Sequence, residues 1–372
     1  MRRRIGGWAS ALLIVALLTA LAGCTRGGQS GASVAVPSTG SAAAAANYPA
    51  GCQEATPSPL DAPIAFVADG RAWALTADAA HLFCLFEVRD PGPFLWGPRG
   101  DRVLLAGMEV RGVGSLANRT PLNMAIPDSV AWVQPAGDGL LWVPQGGLNL
   151  EQALLGTTAM RELTPLAGVT YHEVASHPSG RALAFTVQRG TAFELWEANA
   201  DGTGARQLPI PVGGATLGVL AFSPDGKTLW FGEQRNGTST LQAWSLATRR
   251  LQATPPWSAR GKLKVLSIVP GERSNSRGAL AINVGSGCAD SRALAVPPDG
   301  GQAIELLPGK QPSSVIGWLD DANVLVLEGG CGAPGTLWLA RFGGAPPLLL
   351  ARDVERAALR LTGSDSPPPL PS

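Results

Sequence analysis

From about residue 62 this chain repeats one unit: an apolar stretch, then Pro-x-Gly, then a second apolar stretch. Clear copies are Phe94-Leu-Trp-Gly-Pro-Arg-Gly-Asp-Arg-Val-Leu-Leu105, Val130-Ala-Trp-Val-Gln-Pro-Ala-Gly-Asp-Gly-Leu-Leu-Trp142, Val174-Ala-Ser-His-Pro-Ser-Gly-Arg-Ala-Leu-Ala-Phe185 and Val219-Leu-Ala-Phe-Ser-Pro-Asp-Gly-Lys-Thr-Leu-Trp230. Their prolines stand at 98, 135, 178 and 224, steps of 37, 43 and 46 residues. Val265-Leu-Ser-Ile-Val-Pro270 keeps the step of 46, and Val315-Ile-Gly-Trp-Leu-Asp-Asp-Ala-Asn-Val-Leu-Val-Leu327 has lost both Pro and Gly. Proline fixes φ and glycine accepts positive φ, so Pro-x-Gly predicts a tight turn, and the stretches beside it predict a hairpin.

Two more strand-like stretches follow each hairpin. They are Phe193–Ala198 and Ala205–Pro209 in one unit, Leu241–Leu246 and Arg250–Thr254 in the next, with turn signals such as Asp201-Gly-Thr-Gly204 between. Four strands per repeat of about 45 residues describe a propeller blade. The expected fold is all-β, a β-propeller of four-stranded antiparallel blades. Pro63–Val67, Arg71–Leu75 and His81–Phe86 supply three strands before the first full unit, and Glu355–Leu361 supplies one after the last. One and three complete a blade and remove the exposed edges. That predicts seven blades, with the N- and C-terminal strands sharing one. Six or eight stay open because the outer repeats are degenerate.

Ser223-Pro-Asp-Gly-Lys-Thr-Leu-Trp-Phe231, followed closely by His177-Pro-Ser-Gly-Arg-Ala-Leu-Ala-Phe185, resembles the repeat of TolB-type, WD40-like β-propellers. The resemblance covers about residues 62–363 as architecture and two repeats in detail. It implies a fold and a mode of use rather than an activity.

Ahead of the repeats, Arg2, Arg3 and Arg4 precede an apolar run, Ala11–Ala20, and then Leu21-Ala-Gly-Cys24. Charged start, apolar run and small residues make a secretory signal, and the cysteine placed there resembles the lipobox of bacterial lipoproteins. The resemblance implies that residues 1–23 are a signal peptide and that Cys24 carries the lipid. The apolar run falls short of the roughly 20 residues of a membrane span. Residues 24–50 are small and polar, with five alanines before Asn47-Tyr-Pro-Ala50, and are expected as the lipidated cysteine plus a flexible tether. The propeller is expected over 51–363 and a disordered tail over 364–372. Four further cysteines in an exported chain suggest two disulfides. Cys288 and Cys331 occupy equivalent loops of consecutive blades and are expected to pair, as are Cys52 and Cys84 at the rim. Four free thiols are the alternative.

Charge excludes some partners. Without the signal the chain has 26 basic and 28 acidic residues, so no basic surplus points to nucleic acid. The three histidines, His81, His172 and His177, do not have the spacing of a zinc site, and no metal or other cofactor is expected. His177 reads as a turn hydrogen-bonder and His81 as a strand residue. No Gly-x-Ser-x-Gly elbow, P-loop or dinucleotide fingerprint occurs. A sialidase-like Asp-box reading of Ser223–Trp230 fails because Gly226 and Thr228 each come one residue early. Asp225 is expected to accept turn N–H groups. Most tryptophans fall in predicted strands and are expected to pack between blades; Trp257, in Pro255-Pro-Trp-Ser258, is the best candidate for an exposed platform.

The expectation is a lipid-anchored, extracytoplasmic, monomeric propeller without catalytic residues. It would act as a binding or scaffold protein of the bacterial cell envelope, contacting the membrane through its lipid and an envelope protein or cell-wall glycan through its loops. Loops 107–121, 271–279 and 285–293 are the expected contact points. A structural part in an envelope assembly, as the TolB resemblance implies, and an enzyme with its site in the channel are the alternatives.

Overall fold

The computed structural model describes Tyr48 and residues 62–88, 94–99, 101–105, 109–112, 119–122, 127–155, 157, 160–211, 213–252, 256–270, 279–297, 301–310, 312–343 and 345–360. The expected signal peptide, Cys24, Cys52 and the tail 364–372 lie outside them.

The described chain is all-β, with one 3-10 turn, Cys288–Asp290, as its helical element among the described residues. β1 (Ile64–Ala68), β2 (Arg71–Leu75) and β3 (Leu82–Glu87) open the fold. β4 (Leu95–Trp96), β5 (Arg102–Leu105), β6 (Glu109–Gly112) and β7 (Arg119–Pro121) form the next sheet. β8 (Pro127–Trp132), β9 (Gly139–Pro144), β10 (Glu151–Leu154) and β11 (Met160–Glu162) form another. β12 (Thr170–Ser176), β13 (Ala182–Arg189), β14 (Ala192–Asn199) and β15 (Arg206–Gln207) repeat the pattern. So do β16 (Thr216–Phe222), β17 (Thr228–Arg235), β18 (Thr238–Ser245) and β19 (Arg250–Leu251), with β20 (Trp257–Arg260) added along β18. β21 (Lys264–Pro270), β22 (Leu280–Gly285), β23 (Arg292–Val296) and β24 (Ile304–Glu305) follow. β25 (Ser313–Trp318), β26 (Asn323–Glu328), β27 (Gly335–Arg341) and β28 (Leu348–Leu359) complete the chain.

Each unit runs in sequence order from an inner to an outer strand, antiparallel throughout, which is the construction of a β-propeller. Among the described residues the strands make six hydrogen-bonded sheets rather than seven separate ones. The reason is β28. Its first half pairs with β27 (Leu339↔Leu348, Leu337↔Ala351), and its second half pairs with β1 (Val67↔Arg356 to Ile64↔Leu359). One strand therefore closes the last unit and supplies the inner strand of the first. The sequence expectation of a strand at 355–361 covers only the closing half. Asp353, with φ 54°, stands between the halves.

The core lies between neighbouring sheets. Ala65 and Ala358 pack with Phe94, Trp96 and Val103, while Leu217, Phe231 and Trp244 pack against Ala184 and Leu195. Trp73, Trp142, Trp244 and Trp318 are among the largest fully buried side chains. These rings fill the wedge that opens between sheets radiating from one axis.

The Pro-x-Gly turns do more than reverse the chain. Gly137, Gly180 and Gly226 have φ of 62°, 70° and 68°, the region where a side chain is disfavoured. Each also abuts the turn of the preceding unit. A Cβ on Gly137 would meet Pro98 Cδ at 2.8 Å, one on Gly180 would fall on the Gln134 carbonyl, and one on Gly226 would meet His177 Nε2 at 2.5 Å. The glycines are thus where successive turns touch.

Cys288 and Cys331 form a disulfide, with Cα atoms 5.8 Å apart, joining the β22–β23 connection to the β26–β27 connection. Cys84 is also disulfide-bonded, and Cys52 lies outside the described residues. Tyr48, assigned from sequence to the tether, packs on Trp73 with ring centroids 5.4 Å apart, and its hydroxyl donates to the Arg352 carbonyl. Burial, with Asp353 nearby, pushes its hydroxyl up to about 12. No helix among the described residues is long and apolar enough to cross a membrane.

Candidate functional site

The ends of the inner strands converge on a cavity of about 480 Å³. Its wall is built from 95–96 of β4 with Phe94 and Pro98 beside it, 130–132 of β8 with Gln134 beyond it, 174–176 of β12, 220–222 of β16, 315–316 of β25 and 357–359 of β28. Residues contributed by five of the six sheets among the described residues, all but that of β21–β24, place the cavity on the propeller axis, the central channel. Trp96, Trp132, Ser176, Phe222 and Leu359 are the last residues of their strands, so this is the channel half that adjoins the Pro-x-Gly turns. None of the lining residues carries a charge; Gln134 and Ser176 are its polar side chains. Such a wall binds by shape and apolar contact, with a few fixed hydrogen bonds for orientation.

The strand ends hold their positions through the turns. In the Ser223-Pro-Asp-Gly226 turn, Ser223 Oγ donates to Asp225 Oδ1 at 2.7 Å, and the Lys227 N–H donates to the same oxygen at 3.0 Å. Burial acts to raise the Asp225 carboxyl, and the bonds from Ser223 and Lys227 outweigh it and hold it below the usual range. His177 Nε2 lies 3.0 Å from the Gly226 carbonyl, Nδ1 lies 2.7 Å from Ser179 Oγ, and the ring meets the edge of Phe222. Both residues therefore support the rim of the channel, as turn residues should.

A second set of irregularities shapes the inner strands. Pairing shifts between Pro127 and Ser129, Tyr171 and Glu173, Leu217 and Leu220, Val265 and Ser267, and Val315 and Gly317. An extra residue in one strand of a pair is a β-bulge, which bends the strand and re-aims its side chains. At the bulge in β12, Glu173 is carried on the strand just beyond the channel lining. Burial pushes its carboxyl up to about 7, Ser129's hydrogen bond acts against this, and Asp128 adds to it. Sequence reasoning missed Glu173. The one trace in the sequence is that apolar Tyr171 and Val174 stand three apart, a lapse in alternation by two; both pack in one core cluster because of the bulge.

Other expected positions are dispersed. His172 Nε2 lies 3.2 Å from Gln188 Oε1 and its ring packs on Phe193. His81 is not a strand residue; it precedes β3 with an exposed side chain, because its backbone closes the Thr76 turn. Among the described residues no three metal-ligating side chains come together. Trp257 is not an open platform: it lies in β20, paired to Leu241 and half-buried against the cluster of Leu241, Val265 and Ile282. Of the expected loops, 107–121 contains β6 and β7, 271–278 lies outside the described residues, and 285–293 is occupied by the end of β22, the 3-10 turn and the start of β23.

No protein-family model matches the chain, and no curated protein matches it in sequence. Solved structures do. A prolyl endopeptidase aligns with TM-score 0.53 and 15% identity over 76% of this chain and 46% of its own. An oligogalacturonate lyase in complex with manganese aligns with TM-score 0.52 and 15% identity over 73% and 82%. TolB from Acinetobacter baumannii aligns with TM-score 0.41 and 14% identity over 80% and 68%. At identities this low, the first two show a shared fold alone.

Proposed function

We propose that this chain is a lipid-anchored, extracytoplasmic propeller of seven blades that acts as a binding or scaffold protein of the bacterial cell envelope, without catalysis of its own. The count of seven takes the seven-stranded sheet as two blades that share β28. The anchor reading rests on Arg2–Arg4, the apolar run and Cys24. The observation that carries the binding reading is the channel mouth, where Trp96, Trp132 and Phe222 end their strands around one uncharged cavity. Aromatic residues grouped in a concave, desolvated site are what protein interfaces use as anchors. A protein partner that inserts an apolar segment fits this wall better than a glycan, whose hydroxyls would find few polar partners there. A structural part in an envelope assembly uses the same surface.

The test is crosslinking in native membranes followed by purification, with wild type, Cys24→Ala and Phe222→Ala compared. A discrete protein partner that is lost at least about tenfold with Phe222→Ala supports the reading, since one buried aromatic anchor is worth more than about 1.4 kcal/mol. A partner recovered equally with Phe222→Ala, in a variant that melts like wild type, sinks it. Recovery of glycan in place of protein would transfer the site to another ligand class.

One observation favours a second reading, an enzyme with its site in the channel. A carboxyl that titrates near neutrality is suited to proton transfer. Turnover by the wild type on any glycan or peptide panel, abolished by Glu173→Gln, would establish it.

A further inference from the structure

The chain leaves the propeller at the channel itself. Leu359, the last residue of β28, lines the cavity, and the Arg360 N–H donates to the Pro63 carbonyl at 2.7 Å. Twelve residues follow, 361–372, and they include Pro-Pro-Pro-Leu-Pro at 367–371. Residues 361–366 span at most about 20 Å when extended. That is enough for 367–371 to reach strand ends on the same rim.

The rim has the chemistry for such a segment. Its lining is uncharged, and 367–371 is uncharged. Aromatic grooves bind proline-rich segments because a polyproline II helix is formed in advance and loses little entropy on docking. The rim also holds two buried donors without partners. Trp96 and Trp132 are buried to more than nine-tenths, and the Nε1–H of each has no hydrogen-bond partner. Trp318, which also ends an inner strand but does not line the cavity, donates its Nε1–H to the Val269 carbonyl at 3.2 Å. A buried donor left unpaired is costly. Polyproline II makes no internal hydrogen bonds, so its carbonyls are free to accept once the rings turn toward them.

We propose that residues 367–371 dock in the channel mouth against Trp96, Trp132 and Phe222, and occupy it until a partner with a similar apolar, carbonyl-bearing segment displaces them. The inference rests on the channel as the binding site. It adds a resident occupant that any partner must compete with, since a tethered segment acts at a high effective concentration.

The experiment uses full-length protein and a labelled peptide of residues 364–372, read by fluorescence anisotropy. One variant carries Pro367→Ser, Pro368→Ser, Pro369→Ser and Pro371→Ser; a second adds Trp96→Phe and Trp132→Phe. The peptide is expected to bind the serine variant at least about tenfold tighter than wild type, whose site is filled in cis. The added phenylalanines are expected to weaken that binding about tenfold, the loss of two hydrogen bonds. Acrylamide quenching of tryptophan emission is expected to rise in the serine variant relative to wild type, a readout that needs no indole replacement. Equal binding to wild type and serine variant, no binding to either, or unchanged quenching overturns the proposal. If the peptide fails while Phe222→Ala still abolishes partner capture, only the resident segment falls. If it binds while capture ignores Phe222→Ala, the envelope-partner reading falls instead.

Discussion

Gly180 and Gly237 have nearly the same φ, 70°, yet their surroundings differ. A Cβ on Gly180 would collide with the Gln134 carbonyl of the neighbouring turn, and one on Gly237 would meet nothing within 4 Å. Gly237→Ala is expected to cost about 1–2 kcal/mol from backbone strain alone. Gly180→Ala is expected to cost clearly more, because the turns themselves must separate; urea midpoints of the two variants test the difference. Sequence alone reveals the need for positive φ, since Pro-x-Gly is a local signal. It is silent on the second need, which arises only when two repeats are stacked. Glu173 makes a prediction of the other kind. Its carboxyl titrates near 7 in the folded protein against an ordinary 4.5, so the folded chain keeps a proton that the unfolded chain has released. Stability should fall as pH rises from about 4.5 to about 7 and level off above that. Glu173→Gln is expected to be near neutral at pH 4.5 and stabilising by about 1–3 kcal/mol at pH 8, measured as denaturant midpoints at the two values.

Strands with strong repeats were legible, and those with weak repeats were less so. Phe193–Ala198 falls within β14 and Leu241–Leu246 runs one residue past the end of β18, because long apolar stretches between turn signals leave few other solutions. The stretch 107–121 reads as a loop, since Arg111, Gly112 and Arg119 dilute its pattern, but β6 and β7 pair there because β5 leaves an edge that needs a partner. The inner-strand bulges were not read, since an extra residue mimics a lapse in alternation. β28 is the element with the most to reveal by mutation. Asp353 sits at its bend in the left-handed region, where Asp is tolerated and β-branched residues are not. Asp353→Gly is expected within about 1 kcal/mol of wild type, and Asp353→Val is expected to lose about 1–2 kcal/mol. Thermal unfolding of the two variants checks this, and equal losses would show that the bend is not strained.

At the scale of the molecule, the ring is held by packing at most seams, by strand pairing where β28 meets β1, and by a covalent link between Cys288 and Cys331. The cysteines were placed from their positions in the repeat, because equivalent loops of neighbouring units lie close together. They are 43 residues apart. Replacing both with serine is expected to lower stability by about 2–4 kcal/mol, and a reductant should lower wild type by more than it lowers the double variant, which keeps only the disulfide of Cys84. The channel was less legible than the ring. Its wall combines strand ends from units that are far apart in sequence, so Trp96, Trp132 and Phe222 become a group only after closure. The shared strand also sets a timetable. β1, β2 and β3 are the first of the strands to be synthesised, and the strand that borders β1 on its inner side is the last. The opening sheet must therefore wait, with one flank bare, until all the strands between β3 and β28 have been made. Completion of this fold is the meeting of its oldest and youngest segments, a contact of the longest range available and the kind that forms slowly.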